Sequence, residues 1–485
     1  MTLQIPQSPP ITKHHAAALL LTLAITLVVG VVFMPAFLYP GDAYAMRAEA
    51  RALLTTGSLA VPTMETLGQE TGQYYVENPR DGRMYSKYGV GNSLAFLPPL
   101  AVEYLLRGSL PYADPILRLQ LLNGYNVLLS LTLAALLYQT CRKLALPAAS
   151  CAMFTLACLF ASFAWNYLRA QTVEIFQLNL TAAAFLLLLH LREKPTTRLL
   201  GGLWLVMTGM CLLRFSFVLP VAVVAGAVAT LVWRNRQLLV LHVGCGVGLV
   251  LLLALLNYIK FGSPLATGYH IWRPDLHTPT LAQLPEGLWG FLFDPQRSIF
   301  LHFPLLLVAA VAWPGFFRRH RWFYGTVCGV FVITYVSTAA LSSWRGENCY
   351  GPRYLLFILP QLALPAAAVL GDGRIWPKLL IYPLLLLSVL AQHQVNRLEY
   401  FAFYRVRAVF ESQGFTRRQQ WPPEITGVPF PLLNYRISQP EAPLDLTYGL
   451  DRYPLHQATM KRELRDTLQK LRAYPNFYWW QVREQ

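Results

Sequence analysis

The chain has 485 residues, of which 55% are hydrophobic and 13% charged, against roughly 25% charged in an ordinary soluble domain. Its formal net charge is +16, but Lys and Arg fall in short clusters between apolar runs, where membrane orientation calls for them, and not in the basic stripe of a nucleic-acid binder. Composition therefore excludes a water-soluble domain and argues against a nucleic-acid partner; the solvent for most of the chain is a lipid bilayer.

Residues 1–15 form a short N-terminus placed on the cytoplasmic side. The first apolar run, 16–38, follows Lys13, His14 and His15. Ala43-Tyr44-Ala45 offers a cleavage site of the Ala-x-Ala kind, but the run is longer than the roughly 7 to 15 apolar residues of a signal peptide, so a retained helix is expected. Further apolar runs near 119–140, 147–165, 172–191, 199–214, 216–233, 238–259, 298–316, 322–341, 353–371 and 378–395 predict an all-α polytopic membrane protein with about eleven transmembrane helices over 16–395. The stretch 92–106 is apolar but short, holds Pro98 and Pro99, and carries Glu103. If it does not cross, Arg142/Lys143, Arg192/Lys194/Arg198, Arg234/Arg236, Arg318/Arg319/Arg321 and Arg374/Lys378 all share the side of Lys13. If it crosses, every later cluster moves to the wrong side. An interfacial or re-entrant helix is the expectation.

This topology leaves 39–118, 260–297, a short loop 342–352 and the tail 396–485 on the periplasmic side. The tail has a helical stripe over 455–474 (Leu455, Met460, Leu464, Leu468, Leu471) and ends near Trp479 and Trp480. It reads either as a small domain resting on the membrane or as a loose tail. The seven cysteines show no Cys-x-x-Cys spacing, and there is no Walker loop or His-Glu-x-x-His. Gly244, Gly246 and Gly248 lie inside a span, where close helix packing explains them better than a nucleotide. His270, Asp275 and His277 match no strong metal-site spacing and read as a solvated loop.

Ionisable residues from distant parts of the chain meet the same outer face. Asp42 follows the first span and opens a helix-compatible stretch with Tyr44, Arg47, Glu49 and Arg51 that Gly57 closes. Lys87 stands in Tyr85-Ser86-Lys87-Tyr88-Gly89, Arg169 and Glu174 flank one outer turn, and Arg214 lies at the next. The loop from Trp344 to Arg353 adds Arg345, Glu347 and Arg353. Such groups are expensive near hydrocarbon and call for partners or function. For Arg51 and Arg169 taken singly, snorkelling anchors are the expectation; for Asp42 the bland alternative is an N-cap.

At these residues the chain resembles the GT-C superfamily of polytopic glycosyltransferases, in particular bacterial members related to protein O-mannosyltransferases and the lipid A aminoarabinose transferase. Gly41-Asp42-Ala43-Tyr44-Ala45-Met46, with Ala48 to Leu54 and Gly57, is similar to the start of their first outer loop, which carries an acid and two interfacial helices. Tyr85 to Gly91 is similar to their Lys-containing segment. Phe261-Gly262-Ser263-Pro264 with Thr267-Gly268-Tyr269, Gly290-Phe291-Leu292-Phe293-Asp294-Pro295 with Pro304-Leu305-Leu306, and Tyr350-Gly351-Pro352-Arg353-Tyr354-Leu355 complete the match. The chain departs from the pattern where Asp42 is followed by Ala43 in place of a second acid, and where Lys87-Tyr88-Gly89 replaces Lys-Pro-Pro.

The resemblance implies a bacterial inner-membrane enzyme that moves a sugar from a polyprenyl-phosphate-linked donor to a lipid, glycan or protein acceptor at the outer face, with inversion. It implies Asp42 as general base, and Lys87, Arg345 and Arg353 as cations for the donor phosphate. Glu174, Arg214, Tyr44, Tyr85 and Glu347 are candidates for acceptor contacts or structural pairing. No cofactor is assigned, and a divalent metal stays open. A transporter or flippase of lipid-linked glycans and a polysaccharide polymerase or ligase stand as alternatives.

Overall fold

The computed structural model describes residues 12–36, 38, 42–62, 74–111, 116–346, 349–370 and 375–397; the expectations for Glu347 and for the tail beyond 397 lie outside them. In chain order the elements are α1 (Lys13–Val32), α2 (Asp42–Thr56), β1 (Tyr75–Glu77), β2 (Met84–Ser86), α3 (Val90–Arg107), α4 (Ile116–Lys143), α5 (Ala148–Phe160), α6 (Ala164–Arg169), α7 (Glu174–Glu193) and α8 (Thr197–Leu213). They continue as α9 (Val218–Val232), α10 (Arg236–Phe261), α11 (Gly268–Trp272), α12 (Pro274–His277), α13 (Leu284–Phe293), α14 (Ile299–His302), α15 (Leu305–Arg319), α16 (Arg321–Ala339), α17 (Leu359–Leu362), α18 (Leu364–Leu370) and α19 (Ile375–Arg397). The protein is an all-α polytopic membrane protein, its described strand confined to one small hairpin.

Seven helical stretches among the described residues are long and apolar enough to cross a membrane: Lys13–Val32, Ile116–Lys143, Glu174–Glu193, Phe215–Val232, Arg236–Phe261, Arg321–Ala339 and Leu379–Asn396. Each falls on an expected span. The expected spans 147–165 and 199–214 are the shorter apolar helices α5 and α8. The remaining two are segmented. The run 298–316 starts as the single turn α14, capped by Ser298, and resumes as α15 after Pro304. The run 353–371 breaks into a 3-10 turn (Arg353–Leu355), α17 and α18, where Pro360 and Pro365 cannot donate to a continuous ladder. Leu355 to Leu364 are buried, and broken helices at membrane depth are tolerated when protein surrounds them.

Polar side chains tie the bundle together where the hydrophobic effect gives no preference of helix for helix over lipid. Asn126 donates to the Ala170 carbonyl at 2.7 Å, Asn123 to Pro35 at 2.9 Å, and Gln171 to Asn123 at 2.6 Å. The hydroxyls of Thr22 and Thr26 turn back onto the α1 carbonyls of Ala18 and Thr22, so their burial leaves no polar group bare. Along α10, Val240, Val243, Val247, Val250 and Leu251 point outward as a lipid-facing stripe. Of its three spaced glycines, Gly246 meets the Trp204 ring while Gly244 and Gly248 face open space, so close packing explains one of the three.

The bundle has two chemically different ends. At one, Tyr138 near the end of α4 bonds to His15 at the start of α1, Lys143 pairs with Glu193 at 2.5 Å, and Arg192 lies over the Trp322 ring. These contacts gather the clusters around Lys13, Arg142/Lys143, Arg192 and Arg321 at one pole. The opposite pole carries α2, the hairpin, α3 and the loops after α10 and α16.

Candidate functional site

The local sequence explains how the first loop reaches this pole. Gly57 takes φ +70° and its N–H closes α2 onto the Leu53 carbonyl. The antiparallel hairpin pairs Tyr75 with Ser86, Val76 with Tyr85 and Glu77 with Met84. Asn78 at its turn donates to the Ile259 carbonyl at 3.0 Å, pinning it to the end of α10. The next residues run flush against the end of α8: a Cβ on Gly89 would stand 2.2 Å from the Leu212 oxygen, and one on Gly91 2.6 Å from the Leu212 carbonyl carbon. Only glycine fits this approach.

Beneath this segment lies a buried ion pair. Lys260 Nζ is 2.6 Å from Glu49 Oε1 and donates to the Tyr88 carbonyl at 2.7 Å. Ser93 Oγ donates to the second Glu49 oxygen at 2.5 Å. Burial pushes the Glu49 carboxyl up and the Lys260 ammonium opposes that shift.

Asp42 is the first residue of α2, and its side chain is 41% exposed. The Tyr88 hydroxyl donates to Asp42 Oδ1, and Arg353 Nη1 lies 3.7 Å from Oδ2. Burial raises the Tyr88 phenol well above its ordinary value, with Asp42 adding to the shift, so it stays a donor at physiological pH. Behind Arg353 the Tyr354 ring is flanked by two guanidinium groups, Arg214 at 4.2 Å and Arg353 at 5.3 Å. Glu174, buried at the start of α7, is within electrostatic reach of Arg353.

Lys87 is buried among rings. Its Nζ sits 3.0 Å from the Trp272 centroid, with Tyr88, Tyr74 and Tyr269 at 5.3, 5.6 and 5.7 Å. Gly268 allows this approach, since a Cβ there would be 2.3 Å from the Lys87 oxygen.

The segments around Gly290, Arg297 and Gly351 support the site from outside. Arg297 donates to the Cys349 carbonyl at 2.6 Å and Tyr167 to the Tyr350 carbonyl at 2.8 Å, fixing the segment that delivers Arg353. Gly351 has φ +66° and packs on Phe163. Gly290 leaves room for Trp344, which a Cβ would strike at 1.9 Å.

Beside these groups is a cavity of about 220 Å³. Arg214, Tyr269, His270 and Tyr354 line its polar part, while Phe215, Leu219, Pro220 and Phe357 line its apolar part. Tyr269 joins the two areas, its ring edge-on to Tyr88 at 5.9 Å. Burial pushes the His277 imidazole down to about 4, with Arg214 and Lys87 adding to the shift, so this lining residue is a neutral polar group.

The structure brings Asp42 and Arg353 together, with Tyr88 as the link between Lys87 and the carboxylate, and sets Glu174 and Arg214 around Arg353. Arg345 turns elsewhere, to a half-exposed pair with Glu286 at 2.9 Å. Tyr85 bonds to Asp81 at 2.9 Å, and Tyr44 lies beside Arg47, Arg51 and Arg118. Arg51 and Arg169 are not snorkelling: both are buried, Arg51 donating to Pro111 at 2.7 Å and Arg169 to Phe33 at 2.5 Å and Asn396 at 2.7 Å. His270, Asp275 and His277 do not converge, since Asp275 pairs with Arg273, His270 bonds to Thr267, and His277 packs edge-on against Tyr269. Among the described residues, no group of three or more His, Cys, Asp and Glu is placed to hold a metal. Tyr88, Tyr269 and the Glu49–Lys260 pair were not singled out from sequence as site residues. The signal for Tyr88 was its place in the departure from Lys-Pro-Pro; nothing local marks Lys260 as the partner of Glu49.

No family model matches the chain, and no curated protein matches it. Among solved structures, the chain is similar to ArnT from Cupriavidus metallidurans bound to undecaprenyl phosphate, at 15% identity and TM-score 0.43, covering 95% of this chain and 76% of that one. It is similar to the same protein in the apo state at 15% identity and TM-score 0.43, covering 94% and 76%.

Proposed function

We propose that the chain is an integral membrane glycosyltransferase that moves a sugar from a polyprenyl-phosphate donor to an acceptor hydroxyl at the outer face of a bacterial inner membrane. The observation that carries this reading is the partly open Asp42, bonded by Tyr88 and facing Arg353; their respective ring neighbours, Tyr269 and Tyr354, line a cavity with one cationic and one apolar part. Such a cavity suits a lipid phosphate: the apolar part takes isoprene and the Arg214 guanidinium, with Arg353 behind Tyr354, takes the charged oxygens. The basic clusters at the opposite pole support an outward-facing site through the positive-inside rule.

In this reaction the acceptor oxygen attacks the anomeric carbon as its proton passes to Asp42. The bond from that carbon to the phosphate oxygen breaks, and its electron pair leaves with the polyprenyl phosphate. Attack from the side opposite the leaving group inverts the anomeric centre. Charge grows on the phosphate as the bond breaks, so Arg353, Arg214 and Lys87 stabilise the transition state more than the bound donor. Arg353 exchanges its distant contact with Asp42 for phosphate oxygens when the donor enters. Arg345, turned to Glu286, stays outside this group.

Purified protein mixed with a bacterial membrane lipid extract tests the reading. Mass spectrometry should record polyprenyl-phosphate sugars converted to free polyprenyl phosphate as a glycosylated acceptor appears. Passage of intact lipid-linked sugar across vesicles carrying the protein, with no bond cleavage, overturns it in favour of a transporter.

A further inference from the structure

A carboxylate on the first residue of a helix has two competing uses. It can turn back to satisfy the free N–H groups of the first turn, or it can face a substrate. Asp42 opens α2, is substantially exposed, and bonds instead to Tyr88. Tyr88 is itself held from three directions. Its ring is buried and edge-on to Tyr269, its carbonyl accepts from Lys260 at 2.7 Å, and the following Gly89 is pressed on the Leu212 oxygen. Lys260 is fixed in turn by Glu49, whose other oxygen is taken by Ser93.

We propose that Tyr88 is the positioning residue for Asp42: its hydroxyl fixes Oδ1 and keeps the carboxylate turned from its own helix, leaving Oδ2 to receive the acceptor's proton. The inference rests on Asp42 being the general base. It assigns a task to the residue at which this chain departs from the Lys-Pro-Pro pattern, since proline has no hydroxyl to offer. The Glu49–Lys260 pair is the buried anchor that holds Tyr88, and through it the carboxylate, in place. Arg353, on the other oxygen at 3.7 Å, is free to turn to the donor phosphate without releasing the carboxylate.

Four proteins distinguish the outcomes: wild type, Asp42→Asn, Tyr88→Phe and the double variant, each checked for monodispersity and for bound polyprenyl phosphate by native mass spectrometry. The expected result is a tenfold or greater loss of kcat in Tyr88→Phe with the donor KM unchanged, and no further loss when Tyr88→Phe is added to Asp42→Asn. A tyrosine that only supports the fold would lower the double variant below Asp42→Asn alone, and that result overturns the proposal. Full turnover by Tyr88→Phe beside an inactive Asp42→Asn overturns it while leaving Asp42 as the base. Full turnover by Asp42→Asn removes the base itself and the proposal with it.

Discussion

Two acid–arginine pairs, one within the first loop and one joining its start to the segment at Arg353, are built in opposite ways. Glu103 and Arg118 form a two-pronged pair at 2.8 and 3.1 Å, with side-chain exposure of 0% and 4%. Asp42 and Arg353 stand 3.7 Å apart, with exposures of 41% and 23%. The first pair is closed, each charge taken up by its partner, with Arg118 also donating to Pro111. The second is loose and open, with a guanidinium able to move to an incoming anion. Burial and fork geometry mark a pair that holds helices together; exposure and slack mark one that has work to do on a substrate.

Breaking the closed pairs should give the largest effect on folding. Glu103→Ala leaves the buried Arg118 charge uncompensated, and a loss of about 3–5 kcal/mol is expected, read as a large drop in thermal midpoint in detergent. Lys260→Ala should do the same to Glu49 and also release the Tyr88 carbonyl. On the open side, Arg353→Lys keeps the charge but loses the fork, and turnover should fall about tenfold, near 1.4 kcal/mol, with little change in melting. A pH-dependent effect is expected from His277. Its folded value of about 4 lies below the ordinary 6.5, so the unfolded chain binds more protons between those values. That contribution to stability is complete above pH 6.5 and is lost as pH falls toward 4, so a melting series over that window should be flatter for His277→Gln. Arg345→Ala should have the least effect, about 0.2–1 kcal/mol with unchanged turnover, because its pair with Glu286 is half exposed.

Much of this was legible in the sequence where the signal is local. The apolar runs, the helix from Asp42 to Gly57 and the short proline-containing helix ending at Arg107 each follow from nearby residues, and α3 is not among the helices long and apolar enough to cross. The basic clusters marked one pole because orientation depends on charge counts close to span ends. The breaks in 353–371 were less legible, since an apolar run with prolines reads as a span until its surroundings are known. The hairpin was missed because two strands of three residues carry too few alternations to register. Arg169 and Arg51 read as anchors in the interface because their acceptors, the carbonyls of Phe33, Asn396 and Pro111, belong to backbone that no side-chain pattern announces. Tyr88 could be found only by asking what a hydroxyl offers at a position where proline offers none.

The most direct test of the account is one variant measured in two ways. Asp42→Asn should retain polyprenyl-phosphate donor on the purified protein, seen by native mass spectrometry, while losing about 10²–10⁴-fold in turnover of that donor. Undiminished turnover by Asp42→Asn would contradict the account, because the open carboxylate would then have no part in moving the acceptor's proton.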